Sequence, residues 1–251
     1  MSKNKLGKVK IVLVEPAGAL NVGSVARVMK NMGLEQLVLV KPRCDYLAEE
    51  GRKMAVHGVE ILEKAVVVET LAEALSGCVK AIATTARSRS LPTELETPRT
   101  ALPWLLTENL DSALIFGRED RGLSNEELNY AQRFVCIPTS GEYPSLNLAS
   151  AVAVCAYELA ISHEQPEAAT REISPPSAPL ATLDALNGYY EHLEAVLLKI
   201  GYLYPHTAKA RMEKLRRLYN RASLTEQEVA MLRGILGQVE WGVKFLPRPE
   251  E

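Results

Sequence analysis

The sequence predicts an α/β domain on a parallel sheet, followed by a small all-helical unit. Three observations carry this. Short β-branched runs alternate with helical patterns through the first two thirds of the chain. Several of those runs are near-continuously apolar rather than alternating, as suits strands covered on both faces. After a proline-rich stretch the strands stop. Strands are expected at Val9–Val14, Gln36–Val40, Ala65–Val68, Val79–Thr84, Ser112–Phe116 and Arg133–Ile137. Thr70 with Glu73 and Ser124 with Glu127 are capping-box pairs ahead of the helical runs LAEAL and EELNYA. The pattern ends near His163, giving a domain of 1–163. Pro166, Pro175, Pro176 and Pro179, with almost no aliphatics around them, mark 164–180 as a linker. Residues 181–251 form the second unit, with helices expected over Ala181–Ile200, Thr207–Arg221 and Thr225–Val243. In the last of these, Val229, Leu232, Leu236 and Val239 share one face.

Composition narrows the function classes. The 251 residues hold 29 Lys and Arg against 31 Asp and Glu, a net charge of −2, so no whole-protein basic field advertises a nucleic acid. Residues 1–163 carry 18 basic and 19 acidic groups and residues 164–251 carry 11 and 12, so any polyanion site is a local patch. Cys44, Cys78, Cys136 and Cys155 form no CxxC pair, which argues against a zinc site or a disulfide framework. His57, His163, His192 and His206 are scattered, and no metal is expected. The longest apolar stretch, Leu146 to Ile161, is too short and too polar to span a membrane. The N-terminal lysines run straight into VKIVLV without a signal-peptide core. A soluble, cytoplasmic protein is expected.

Ligands of open α/β sheets bind at the carboxyl ends of the strands, and four strand-end loops stand out. The first, EPAGALNVGSVAR, has glycines but no Lys before its Ser, so it is not a phosphate-binding P-loop. GxGxxG is absent and Lys41–Pro42 stands where a ribose-binding acid would end the second strand, which counts against a nicotinamide-dependent oxidoreductase. Asn21 reads as a helix N-cap, and Arg27 either snorkels to a surface carboxylate or serves a ligand. In the second loop, Thr84–Thr85–Ala86–Arg87–Ser88–Arg89, small hydroxyl residues let backbone approach a ligand and two arginines offer phosphate donors; a plain polar loop has the same composition. In the third, Gly117 and Gly122 bracket a charged cluster in which Glu119 holds a ligand or half of a surface ion pair. The fourth, IPTSGEYPSLN, feeds an apolar helix whose free backbone donors need either a cofactor or a cap from Ser145 or Asn147.

Taken in order, Asn21–Arg27, Phe116–Leu123, Ile137–Pro138 and Ser145–Val152 resemble the three signature motifs of the SPOUT (SpoU/TrmH) RNA methyltransferases. Thr84–Arg89, KLRRLYNRA and MLRGILGQVE extend the likeness to the TrmJ-type tRNA (cytidine/uridine-2′-O)-methyltransferases over nearly the whole chain. The resemblance implies a deep trefoil knot over residues around 117–160 and S-adenosylmethionine bent within it. Carried over, the cofactor-binding positions are Thr84, Thr85, Ala86, Gly117, Ile137, Ser145, Leu146 and Asn147. The catalytic set is Arg27, Asn21, Glu119, Ser145 and Asn147. Arg27 would reach the cofactor site of the other subunit of a homodimer, acting through charge, since a guanidinium with a pKa above about 12 is a poor base. Ser145 or Tyr143 would position the ribose or base.

RNA contact is expected at Arg27, Arg87, Arg89 and Tyr143, and on a helical stripe of Arg211, Lys214, Arg217 and Arg221. The same stripe would serve a merely solvated face. The expected function is methylation of a ribose 2′-hydroxyl in tRNA, a cytidine or uridine of the anticodon loop. Alternatives are ribosomal RNA, another tRNA nucleotide, or a non-catalytic RNA-binding protein on the same fold. No protein partner beyond a second copy is expected.

Overall fold

In a computed structural model, residues 5–85, 95–140, 142, 145–164 and 178–245 are described. The chain divides into two compact units, Met1–Ser174 and Pro175–Glu251.

The first unit is a six-stranded, all-parallel sheet: β1 (Val9–Val14), β2 (Gln36–Val40), β3 (Val66–Val68), β4 (Lys80–Thr84), β5 (Ser112–Phe116) and β6 (Arg133–Val135). Three strands are shorter than the sequence suggested: β3 and β4 each start one residue later, and β6 ends at Val135. The order is β3-β2-β1-β5-β4-β6. The chain builds outward from β1 through β2 to β3, then restarts on the other side, so the topological switch falls beside β1.

Val9, Ile11 and Leu13 share a core with Leu37, Leu39, Ile82, Leu114 and Phe116. On that face lie α1 (Ala19–Asn31), α2 (Glu49–Ala55), α3 (Val59–Glu63), the turn α5 (Pro98–Ala101) with the 3₁₀ segment after it, and α7 (Leu148–Glu164). The alternate strand residues Val12, Val14, Val38, Val40, Ala81, Ala83 and Ile115 are buried as well, with α4 (Leu71–Ala74) over the β2–β3 side. Burial on both faces is the physical reason for unbroken apolar runs, and each fully buried Leu, Ile or Phe contributes about 1.5–3 kcal/mol.

The capped helices are shorter than the periodicity suggested. Ser124 and Glu127 make a full capping box for α6 (Asn125–Leu128), one turn long. Thr70 accepts from the Glu73 amide, but Glu73 reaches back to the Glu69 amide rather than to Thr70. Gly23 lies within α1, where a Cβ would run into the Gly51 carbonyl. Its use is close helix packing, not ligand approach.

The second unit holds α8 (Leu183–Lys199), α9 (Pro205–Ala222) and α10 (Glu226–Val243). Tyr189, Tyr190 and Tyr219 cluster between α8 and α9, with Tyr189 and Tyr219 edge to face at 5.3 Å. Thr182 caps α8, and Thr225 with Glu228 forms a capping box on α10. Of the expected linker, residues 165–177 lie outside the described residues. Among the described residues no helix is long and apolar enough to cross a membrane, and no three His, Cys, Asp or Glu gather as a metal site.

Candidate active site

A cleft of about 170 Å³ opens at the carboxyl ends of β4, β5 and β6. Its floor is Thr84, Phe116 and Val135, the last residues of those strands. Around it stand Thr85, Gly117, Glu119, Ile137, Ser145 and Leu146, contributed by three separate loops. Leu123, Leu148 and Ala151 supply apolar wall. Open parallel sheets take ligands at this place, beyond the strand ends and beside the switch point.

Glu119 is anchored from a distant part of the chain. Its carboxylate accepts from the Ala17 amide at 3.4 and 3.3 Å and from Asn21 Nδ2 at 3.0 Å. Asn147 Nδ2 in turn donates to Asn21 Oδ1 at 2.9 Å. Asn147 also caps α7, its Oδ1 accepting from the Ala149 amide at 2.9 Å and the Ser150 amide at 3.4 Å. Three residues spread over 126 positions of sequence thus form one hydrogen-bonded chain. Asn21 is not an N-cap: Gly18 holds that place in extended conformation, without a side-chain cap, and Asn21 is the third residue of α1. One turn in, its amide is free to face the other loops instead of its own helix end. Of the two caps open for α7, Asn147 is the one used.

The charged cluster of the third loop is internally neutralised. Arg118 pairs with Glu15 at 2.9 Å and with Asp120 at 2.7 Å, while Arg121 pairs with Glu127 at 2.9 Å. Hydrogen bonding to Arg118 holds the Asp120 carboxyl below its ordinary range. Burial pushes the Glu127 carboxyl up, but Arg121 and the Ser124 amide outweigh it, and the group lies below the usual carboxylate range. Glu15 has φ 47°, a left-handed conformation costly for a residue with a Cβ. Its amide still donates to the Val40 carbonyl at 2.7 Å, extending the ladder one step past β1. Gly117 is required as glycine, since a Cβ would collide with the Gly122–Leu123 backbone where Arg118 and Gly122 bridge.

Thr84, Thr85, Gly117, Glu119, Ile137, Ser145 and Leu146 therefore converge on one cleft, and Asn21 and Asn147 join it through Glu119. Arg27 does not converge. It lies six residues along α1 from Asn21, roughly 9 Å at helical rise, exposed and without a side-chain partner among the described residues. Ala86, Arg87, Arg89 and Tyr143 lie outside the described residues. On α9, Arg211, Lys214 and Arg221 are exposed. Arg217 is turned in toward Glu213 at 4.0 Å, its side chain 20% exposed, so the stripe is narrower than the wheel suggested. Glu15, Arg118 and Arg121 are the site neighbours that sequence reasoning assigned no role. Their signal was position, directly after β1 and β5.

The model of the SpoU rRNA Methylase family matches residues 8–157, and that of the tRNA methyltransferase TrmJ C-terminal domain matches residues 184–248. The tRNA (cytidine/uridine/adenosine-2′-O-)-methyltransferase TrmJ of Pseudomonas aeruginosa is 41% identical over 94% of this chain and 95% of its own. The tRNA (cytidine/uridine-2′-O-)-methyltransferase TrmJ of Escherichia coli K12 is 40% identical over 94% of this chain and 96% of its own. The crystal structure of TrmJ from Z. mobilis ZM4 superposes with a TM-score of 0.81 at 31% identity, covering 92% of this chain and 98% of that one. Motifs, sheet and both halves of the chain agree, and the protein belongs to the SpoU methylase family, grouped within it with the TrmJ proteins.

Proposed function

We propose that this chain transfers the methyl group of S-adenosylmethionine to a ribose 2′-hydroxyl of tRNA, a cytidine or uridine of the anticodon loop. The observation that carries the reading is the cleft at the ends of β4, β5 and β6 with the Glu119–Asn21–Asn147 chain on its rim. The cleft fits the cofactor chemically. Phe116, Leu123, Ile137 and Leu148 offer an apolar seat for a nucleobase, and Thr84, Thr85, Gly117, Ser145 and Leu146 bring hydroxyl and backbone groups to its edge. When bound, S-adenosylmethionine supplies an electrophilic methyl group on a sulfonium.

The remaining work belongs to the protein. In-line attack of the ribose 2′-oxygen forms the O–CH3 bond as the S–CH3 bond breaks and S-adenosylhomocysteine leaves, with the hydroxyl proton passing finally to solvent. It demands alignment within near-attack distance and a dry pocket. Glu119, fixed by the Ala17 amide and Asn21, holds the reacting end of the cleft, and Asn147 ties that end to α7. Ser145, which lines the cleft, positions the ribose or base in this reading. Arg27 clamps the substrate phosphate and stabilises the forming alkoxide by charge. Its distance from the cleft of its own chain supports delivery to the cleft of a second copy. Exposed apolar side chains on two neighbouring helices support the same homodimer: Leu20 of α1 is 48% exposed, and Val154 and Tyr157 of α7, which packs on α1, are exposed as well. In this reading 1–163 is the catalytic domain and 181–251 the RNA-contact domain. The return of α7 from the β6 edge to α1 fits the trefoil threading of the family.

The test is methyl transfer from labelled S-adenosylmethionine to unmodified tRNA, scored by alkali-resistant linkages. Label lost on Arg27→Ala supports the reading; label found only in ribosomal RNA, or none in either, rejects it. Mixing Arg27→Ala with Glu119→Ala protomers restores transfer only if Arg27 acts across the dimer. The activity named for the Pseudomonas aeruginosa relative includes adenosine, so a tRNA carrying adenosine at the target position belongs among the substrates tested.

A further inference from the structure

Between α8 and α9 of the second unit, three rings stand within five residues. Tyr202 and Tyr204 are 56% and 55% exposed, while Leu203 between them is 1% exposed. The Leu203 amide donates to the Leu197 carbonyl at 3.0 Å. Leu203 is thus a fixed anchor, and its neighbours face water because the backbone leaves them no other side. The Tyr204 and His206 rings stack at 5.9 Å between centroids with 25° between planes. Arg211 lays its guanidinium over the Tyr202 ring at 5.6 Å and donates Nη1 to the Tyr202 carbonyl at 3.0 Å. Neither tyrosine hydroxyl has a partner among the described residues, and neither side chain caps α9, whose first bonds use the Tyr204 carbonyl.

Rings of this size are ordinarily buried for their area. These are braced by a neighbouring ring or guanidinium and left wet, which suits a contact surface. The same helix carries Arg211, Lys214 and Arg221 exposed along its length. Exposed rings, the Tyr204–His206 stack and Tyr202 beneath Arg211, at the head of a positive track match single-stranded RNA, whose bases stack on aromatic rings while its phosphates follow the charge. We propose that Tyr202, Tyr204 and His206 form a stacking platform for an unpaired nucleobase of the RNA substrate, braced by Arg211 and leading into the phosphate-binding charges of α9. This rests on the reading of the chain as an enzyme acting on tRNA.

The experiment uses the full chain and a fluorescently labelled, unmodified tRNA transcript, with affinity measured by anisotropy over a range of salt. The double variant Tyr202→Ala/Tyr204→Ala is expected to bind about 5- to 150-fold more weakly, the span that loss of base stacking gives. Its dependence on salt stays parallel to the parent's, because no phosphate contact is removed. In the transfer assay KM for tRNA rises while KM for S-adenosylmethionine holds. Tyr202→Phe/Tyr204→Phe keeps the rings and binds like the parent. Lys214→Gln lowers the salt slope by about one, marking the charged track independently. An Ala pair that binds like the parent, or a Phe pair as weak as the Ala pair, overturns the platform while tRNA binding by the parent stands. A parent chain that neither binds nor methylates tRNA fails the underlying reading instead. Unchanged thermal melting of the variants shows that a loss of affinity is not a loss of fold.

Discussion

At the amino ends of the strands Lys8 meets Asp111 at 3.0 Å, and Lys10 donates to the Ala74 and Ser76 carbonyls at 3.2 and 2.7 Å. Lys80, only 2% exposed, is held by Thr107 and by Glu108 at 3.2 Å. At the carboxyl ends, by contrast, side chains link separate loops, Glu119 with Asn21, Asn21 with Asn147 and Arg118 with Glu15, and Arg118 and Glu119 line a cleft there. One end ties polar groups to fixed backbone or to a single partner. The other shares them among loops that must keep register with each other. On the proposed function, a substitution at the first end is expected to act on stability, and one at the second on the geometry of reaction.

Gly117→Ala is expected to break that separation and to have the largest effect. Its Cβ meets backbone rather than a flexible side chain, so destabilisation of about 3 kcal/mol or more accompanies loss of methyl transfer. Thermal melting and the transfer assay on one preparation check both. Next comes a pair that sharpens the contrast. Glu119→Ala should lower transfer about 100-fold with little change in melting temperature, as for removal of one preorganised electrostatic group. Lys80→Ala should lower stability by about 2–3 kcal/mol, through lost packing and an abandoned Glu108, and leave kcat in place. Equal loss of activity in both would erase the distinction.

A smaller effect concerns acid. The Glu127 carboxyl titrates below the ordinary carboxylate value in the folded chain, whereas the unfolded chain takes up that proton first, near about pH 4.3. Its contribution is therefore complete above that pH and is lost as pH falls through the depressed value. Glu127→Gln, which removes the charge paired with Arg121 but keeps an oxygen to accept from the Ser124 amide, should cost up to about 1 kcal/mol at neutral pH and flatten this part of the acid limb. Equilibrium unfolding between neutral pH and pH 3 measures it. The smallest effect is in the thiols. Burial pushes the Cys155 thiol up to about 12, and it should stay unmodified by a disulfide reagent at pH 8 until the chain unfolds. Burial and, after it, the Glu119 carboxylate raise the Cys44 thiol, so Glu119→Ala should speed its labelling by a thiol reagent.

Much of this was legible in the residues. The unbroken runs Val9–Val14 and Ser112–Phe116 are strands because both their faces are buried. The capping pairs mark the starts of α4 and α6 but not their one-turn lengths, because a capping signal says where a helix starts and not how long neighbouring packing lets it run. Asn21 has a residue type favoured at helix starts, yet the same amide is equally suited to the long-range bridge that it makes.

Sequence by itself determined the alternation of strand and helix, the change to helices beyond the prolines, and the strand-end loops where chemistry collects, since periodicity and turn residues are local properties. It also carried the family motifs. Only the tertiary structure decided that Asn21, Glu119 and Asn147 form one chain, that Arg27 stands away from its own cleft, that Arg217 turns inward, and that Tyr202 and Tyr204 stay wet around a buried Leu203. Those facts depend on which distant segments meet, and a hydrogen bond between positions 21 and 147 leaves no period and no spacing in the sequence that encodes it.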